Sequence, residues 1–389
     1  MNVCIETFGC RLNKAESLDM EAEFAKRGWL RVKSHADADM IIVRGCSVTS
    51  KAERETAALV AHIREKYPVK RIVVTGCVRE RRNEHWIKDL PPYSLDVVPA
   101  STARAYLKVQ DGCSGKCTFC TVPRFRGKSS SVPYGDVLAR AKTFISKGYT
   151  EIVVTGCNLS LYASEGKRLP DLLAALADIA PDGARIRLGS LEPSDCASET
   201  LDAMASRPNI CRFIHIPVQT GSEQILAAMC RPYTVKSVDE LLHKANRLMP
   251  MAGIGCDMIS GFPGETELHH EASIAFLKRN SFSNIHAFPY SMRPGTQAAS
   301  MHGMVDRETR RRRAHELSEV VIEMRTAFAM KFKGREAEVV IENPEHASGW
   351  TGEYFRLRVE GRENSYKRRE KVRVTVTEAD GERLVGRAK

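Results

Sequence analysis

Along roughly the first three hundred residues, short apolar runs alternate with longer stretches whose apolar residues recur every three or four positions. Runs at 3–8, 40–43 and 72–75 predict short buried strands, and 14–27 and 51–66 predict helices between them. Strand–helix–strand–helix–strand predicts a doubly wound parallel sheet. The alternation then resumes, with strands expected at 106–110, 151–155, 185–189, 213–217, 253–259 and 284–288. Helices are expected at 134–147, 171–179, 198–206, 235–249 and 265–279. Six such units predict an open, partial (βα)6 barrel related to the closed eight-unit form. Between 307 and 333, Leu317, Val320, Val321, Met324 and Phe328 share one helical face, which predicts a core-facing stripe. Beyond it the pattern changes. Runs at 337–341, 355–359, 372–377 and 384–386 are separated by Gly, Asn and Asp, predicting a small antiparallel β-barrel. The chain is therefore expected to be α/β, with domains at 1–100, 101–334 and 335–389.

Composition narrows the class. Of 389 residues, 43% are hydrophobic and 28% charged, which excludes a disordered or fibrous chain. No apolar stretch has the length of a membrane span, so no membrane partner is expected. The first residues, MNVCIETFGC, lack a basic-then-apolar leader pattern, and a cytoplasmic location is expected. The net charge is +11. Two segments hold the excess: residues 101–170 carry 11 basic against 4 acidic side chains, and 307–335 carry 9 against 4. Solvated surfaces and a polyanion-binding face are both compatible with that distribution. The twelve cysteines are more consistent with metal binding or catalysis than with a disulfide framework.

Six of those cysteines fall into two patterns. Residues 108–120 read KVQDGCSGKCTFC, placing Cys113, Cys117 and Cys120 at C-x3-C-x2-C spacing just after the first barrel strand. Three thiolates on one short loop can hold three irons of a [4Fe–4S] cluster, leaving the fourth iron open to an outside ligand. A structural zinc site normally uses four protein ligands, and no fourth Cys or His follows closely. Cys10, Cys46 and Cys77 each follow a predicted strand of the N-terminal sheet, each beside a glycine. Strand C-termini of a parallel sheet lie along one edge, so these three can converge on a second Fe–S cluster. Cys4, Cys196, Cys211, Cys230 and Cys256 read as small apolar residues. Cys157 lies beside the pocket expected at the barrel mouth.

The C-x3-C-x2-C loop with Phe119, after the first strand of a βα barrel, resembles the radical S-adenosylmethionine (SAM) superfamily. The resemblance implies that the open iron chelates SAM and that electron transfer cleaves it to a 5′-deoxyadenosyl radical. ISGFPGE at 259–265, TGCN at 155–158, SLEP at 190–193 and HIPVQTGS at 215–222 resemble segments that line the cofactor in that superfamily. They make Asn158, Glu192, Gln219, Gly261, Phe262, Pro263 and Gly264 the expected cofactor-binding residues, although Gly, Pro and Ser after strands also suit plain turns. With the N-terminal cysteines and a tail resembling a TRAM domain (351–359 and 370–388), nearly the whole chain is similar to the methylthiotransferase family. TFGCRLN at 7–13 with Glu16 and Ser17, Val48–Thr49–Ala52, MCRPYT at 229–234 and FPYSMRPGT at 288–296 resemble one branch of it. That branch modifies N6-threonylcarbamoyladenosine beside the tRNA anticodon.

The resemblance implies two [4Fe–4S] clusters, SAM, a tRNA anticodon stem-loop as substrate, a flavodoxin- or ferredoxin-like electron donor and a sulfur donor. Sulfur from the second centre would enter at adenosine C2 and be methylated by a second SAM. A monomer is expected, and no catalytic side chain beyond the cluster ligands is assigned. Expected RNA contacts are Arg124, Arg126 and Lys128, then Arg310 and Arg311, then Lys367, Arg368 and Arg369. Methylthiolation of isopentenyladenosine or of a ribosomal protein aspartate stands as an alternative, as does a non-catalytic Fe–S RNA-binding or redox-sensing protein. Three departures from the family pattern stand out: Arg44-Gly45 before Cys46, Cys157 itself, and a short connection between Cys77 and Cys113.

Overall fold

The structure, a computed structural model, describes residues 1–87, 98, 102–181, 183–194 and 196–388. The expected boundary at 100/101 and the middle of the Cys77–Cys113 connection lie outside those residues.

The N-terminal unit is a four-stranded parallel sheet in the order Leu30–Arg31, Asn2–Thr7, Met40–Cys46, Arg71–Cys77. Helices Arg11–Lys26 and Ser50–Lys66 supply the crossovers. Thr49 caps the second helix by accepting the Ala52 amide at 3.3 Å. The strands Met40–Cys46 and Arg71–Cys77 run longer than their apolar cores, because Arg44, Gly45 and Cys46 still pair in register with Thr75, Gly76 and Cys77.

The expected six barrel strands are all present, with helices on the outside. Arg185–Leu188, Glu151–Thr155 and Ala105–Lys108 form one parallel sheet, and Phe213–Gln219, Gly253–Ser260 and Asn284–Pro289 form another. A bridge between Ile186 and Ile210 and the Leu191 amide bond to His215 O (2.7 Å) join the halves. Ala105–Lys108 and Asn284–Pro289 are left as the two open edges.

The N-terminal unit spans that opening. Its first helix meets the leading edge through Glu16–Lys108 (2.7 Å) and Asp19–Arg140 (2.6 Å). Its second helix meets the loop after the trailing edge, where Arg293 donates to Glu53 (2.5 Å) and Ser50 (3.0 Å), and Ser50 bonds Ser291.

Helix Arg307–Met330 serves two cores. Leu317 and Val321 are buried against the barrel, while Phe328, with Phe332 just past the helix end, enters the core of the tail. The tail is a closed five-stranded barrel in the order Glu336–Asn343, Ser348–Thr351, Arg356–Val359, Arg383–Ala388, Lys371–Ala379. Four of its pairings are antiparallel, and Arg356–Val359 with Arg383–Ala388 is parallel. Ser348–Thr351 was not anticipated. Its Gly349 reads as a turn, yet a Cβ there would sit 1.7 Å from Val340 O, so only glycine fits this crossing.

The tail also plugs the partial barrel. Arg185 donates to Trp350 O (2.6 Å), and Arg187 to Thr351 O (2.7 Å) and Gly352 O (3.1 Å). Glu151, fully buried, binds both guanidiniums. Burial alone would raise its pKa, but the two arginines outweigh burial and hold the carboxyl well below its usual range. Removing one partner of such a buried group costs about 3–5 kcal/mol. Tyr354 stacks on Phe213 (4.6 Å) and accepts a hydrogen bond from Arg11 (2.9 Å), the residue after Cys10.

Candidate functional site

The loop of Cys113, Cys117 and Cys120 is built from both sides of the barrel. Gln110, fully buried, donates to Asp111 O, Gly112 O and Ser129 Oγ at 2.7–2.9 Å and accepts the Asn158 amide at 2.9 Å. Thr118 ties the loop to the far half through Met229 O (3.1 Å), Ala228 O (2.9 Å) and the Ala298 amide (2.9 Å). Donors then aim at the sulfurs: the Gly115 amide at Cys113 (3.3 Å), the Val122 amide at Cys120 (3.4 Å) and Arg231 at Cys117 (2.8 Å). Burial, and next its sister thiols, push Cys120 up to about 11. Bound metal would displace that proton.

The other trio is assembled by the sheet. Cys46 and Cys77 are direct register partners at adjacent strand ends. Cys10 caps the first helix, and Gly9 before it, at φ +93°, lies so close that a Cβ would sit 2.7 Å from Cys46 Cβ. Asn13, fully buried, donates to Phe8 O (2.8 Å) and Gly45 O (2.9 Å), locking the Cys10 loop onto the Cys46 strand. Burial raises both Cys46 and Cys77, and Cys10 adds to each.

Among the described residues, neither trio gathers its three sulfurs within 4.8 Å of one another. A single tetrahedral ion would set thiolates about 3.8 Å apart. The wider sets, with backbone amides on the sulfurs of the first, fit a multi-iron cluster better than one ion.

The expected cofactor residues separate into two groups. Asn158 and Gln219 stand where a ligand could use them: Asn158 Oδ1 is buried without a partner, and Gln219, at φ +75°, lines a cavity beside Cys120. Glu192 is ion-paired with Arg231, which also donates to Tyr233 Oη (2.7 Å). An orphaned Asn158 acceptor, and at another point of the barrel mouth an acid–base pair, are the kinds of group that bind a zwitterionic amino-acid end such as that of SAM. The GFPGE turn acts as a support. Phe262 is fully buried and meets Phe119 edge-on (centroids 6.5 Å), and Pro263 is buried with it. Gly261, at φ +67°, packs under Arg310, and the exposed Gly264 bonds Gly303. The turn therefore braces the cysteine loop from below.

The expected RNA contacts also divide. Arg124, Lys128, Arg311, Lys367 and Arg368 are exposed. Arg126 points inward, with 8% of its side chain exposed, into a set of acids and Cys77. Arg369 clamps the tail to the main body over the Tyr149 ring (3.6 Å) and against Thr102 O and Lys147 O (both 3.1 Å). Arg310 is half-buried on Tyr290 O (2.6 Å). Two cysteines also differ from expectation. Cys230 is exposed at φ +52° rather than packed. Cys157 faces the N-terminal trio, 3.7 Å from Asp111 and within electrostatic reach of Cys10 and Cys77.

Sequence reasoning missed a further cluster. His215, Asp257 and His286 stand on three adjacent parallel strands, both imidazoles 3.0 Å from Asp257 Oδ1. Burial opposes the Asp257 charge, but the two histidine hydrogen bonds win and hold the carboxyl well below its ordinary range. Asp257 opens onto the cavity of about 200 Å³ that Gln219, Phe119, Cys120, Phe288 and, from the N-terminal unit, Val48 and Thr49 also line. Thus residues next to both cysteine trios border one small chamber. No helix among the described residues is long and apolar enough to cross a membrane.

Comparison with known proteins places these features. Residues 2–97 match the family described as Uncharacterized protein family UPF0004, and 107–277 match the Radical SAM superfamily. The Threonylcarbamoyladenosine tRNA methylthiotransferase MtaB of Thermotoga maritima is 30% identical over 87% of this chain and 86% of that protein. A tRNA-2-methylthio-N(6)-dimethylallyladenosine synthase of Cereibacter sphaeroides is 29% identical over 98% of both. Among solved structures, the radical S-adenosylmethionine methyltransferase TsrM of Kitasatospora setae shares the fold at a TM-score of 0.55 and 12% identity, over 77% of each chain. A three-cysteine barrel loop, a second trio on a parallel N-terminal sheet and full-length relatives lead to one assignment: the chain is an enzyme of the radical SAM methylthiotransferase family.

Proposed function

We propose that the chain methylthiolates tRNA at C2 of N6-threonylcarbamoyladenosine beside the anticodon. One observation carries this reading: the chamber between the two cysteine loops ends on Asp257 held by His215 and His286. An ionised carboxylate with two imidazoles is costly to cover with a hydrocarbon, whereas the hydroxyl and N–H donors of a threonylcarbamoyl group return hydrogen bonds, with its own carboxylate turned from Asp257. The carboxylate end of the chamber suits the polar substituent, while its apolar side, Val48, Phe119, Ile259 and Phe288, suits the flat face of a base. Relatives bear names of both kinds, so the wall of the chamber weighs more than the names.

In this reading Cys113, Cys117 and Cys120 hold one [4Fe–4S] cluster, and Cys10, Cys46 and Cys77 hold a second. A cluster with SAM supplies, when bound, a carbon radical strong enough to act on an aromatic C–H bond. The chain's own groups bind and orient. Asn158 Oδ1 accepts from the SAM amino group, and Arg231 with Glu192 fixes the amino-acid end. Phe119 and Phe288 flank a splayed-out base, since a target inside a loop must leave its stack to be reached. The exposed Arg124, Lys128, Arg311, Lys367 and Arg368 meet phosphates, the last two from the TRAM-like tail.

The test is nucleoside mass analysis of tRNA from cells with and without this gene. Loss of 2-methylthio-N6-threonylcarbamoyladenosine with its unmethylthiolated parent accumulating is expected. If that nucleoside is unchanged and the isopentenyl counterpart disappears instead, the chamber argument is wrong.

A further inference from the structure

Arg126 ends the short helix Val122–Arg126 that follows Cys120 directly, yet its side chain crosses into the N-terminal unit. Every nitrogen of the guanidinium is used. Nε donates to Cys77 Sγ at 2.9 Å; NH2 donates to Asn13 Oδ1 at 2.6 Å and Glu16 at 2.9 Å; NH1 donates to Asp111 at 2.9 Å and Glu16 at 3.1 Å. Lys108 and Arg44 also contact Glu16. With Asp19 nearby matched by Arg140 (2.6 Å), three cations face two carboxylates in a mostly buried set, leaving one positive charge unmatched by Glu16 and Asp111. The group placed to meet it is the Cys77 sulfur. Asn13 is the same residue that locks the Cys10 loop to the Cys46 strand, so Arg126 touches the brace of that trio as well as one of its members.

We infer that Arg126 is a positioning residue that couples the two cysteine centres: rooted six residues from one trio, it fixes the other in place and biases it toward reduction. This rests on the reading that Cys10, Cys46 and Cys77 hold a cluster. An N–H donor and a positive charge at a ligand sulfur stabilise the added electron, which raises the reduction potential of an iron–sulfur centre. A purely structural ion pair lacks this signature, because loosening the interface from either side has the same consequence.

The experiment uses full-length chain in which Cys113, Cys117 and Cys120 are replaced by Ala, so that only the second centre fills. Iron per chain is measured, and its midpoint potential is followed by electron paramagnetic resonance during redox titration. Arg126→Gln is expected to lower the potential, and Glu16→Gln, which removes a negative charge from the same set, to raise it. Arg126→Lys keeps the charge and loses the fork, so a smaller downward shift is expected; it carries the test if Arg126→Gln does not retain iron. Equal potentials in iron-loaded Arg126 variants and parent, or shifts of one sign for Arg126→Gln and Glu16→Gln, overturn the inference. If the parent binds no iron, the two-centre reading fails first and this role falls with it. In chain with all six cysteines, Arg126→Lys is expected to lose methylthiolated product while 5′-deoxyadenosine release persists. Equal losses of both overturn the coupling role.

Discussion

Cys113, Cys117 and Cys120 occupy eight consecutive positions of one loop, whereas Cys10, Cys46 and Cys77 come from three strand ends more than thirty residues apart. The first set keeps its spacing as long as that loop stays folded, and the barrel needs only to anchor it through Gln110 and Thr118. The second exists only while the parallel register Cys46–Cys77 holds and Gly9 lets the Cys10 loop approach. A locally encoded centre and a register-encoded centre should therefore fail differently, even though residues close to both line the same chamber.

The sharpest separation comes from the ligands. Cys113→Ala is expected to abolish SAM cleavage and product together, by about a thousandfold or more. Cys10→Ala is expected to abolish only product, with 5′-deoxyadenosine still released. Chromatography of both products after anaerobic reconstitution decides it, and methylthiolated RNA from Cys10→Ala would break the division. Next, Glu16→Gln should destabilise the chain by about 3 kcal/mol at neutral pH, since it strips a buried acid from three cations. Burial opposes the Glu16 charge, but Arg44, Arg126 and Lys108 hold the carboxyl far below its usual range. A depressed folded-state pKa gives stability that is present above the unfolded value, about 4.3, and fades as pH falls below it toward the folded value. Denaturant titrations should show the gap between wild type and variant full at pH 6 and shrinking below about pH 4. An unchanged gap would deny the ionised state.

Gly9→Ala should cost about 1–3 kcal/mol, because φ +93° and a 2.7 Å clash with Cys46 fall on the register-encoded centre alone. Iron should drop from about eight toward about four per chain while SAM cleavage survives. The smallest effect is outside both centres. Lys128→Ala should weaken tRNA binding about two- to fivefold and reduce the salt slope by about one, read by filter binding across ionic strengths. An unchanged slope would remove Lys128 from the RNA face.

What was legible in the sequence follows the same divide. The C-x3-C-x2-C spacing and the strand–helix alternation are local, and all six barrel strands appear where the apolar runs stood. The N-terminal trio was legible only through its even placement after strands. Features that depend on which strands become neighbours were not legible. His215, Asp257 and His286 are separated by 42 and 29 residues and meet only because their strands are consecutive, with His286 the register partner of Asp257 and His215 that of Gly255, two residues away on the same face. Arg126 stands in a basic run that looks like a surface, and nothing local announces that Glu16, over a hundred positions earlier, draws it inward. Phe262 sits in a glycine-rich turn that suggests a ligand cradle, yet its ring is packed under Phe119. Ser348–Thr351 was hidden because its glycine, needed for a close crossing, resembles a break.

Tyr354 ties the carboxyl-terminal module to the opposite end of the polypeptide through Arg11 and stacks within the central domain on Phe213. Truncating that module, the obvious shortcut for asking whether it grips nucleic acid, would also unseat the neighbour of Cys10 and uncork the enzyme's interior. Loss of turnover in such a deletion would then say nothing about RNA, and point changes on the module's outer face are the cleaner tool.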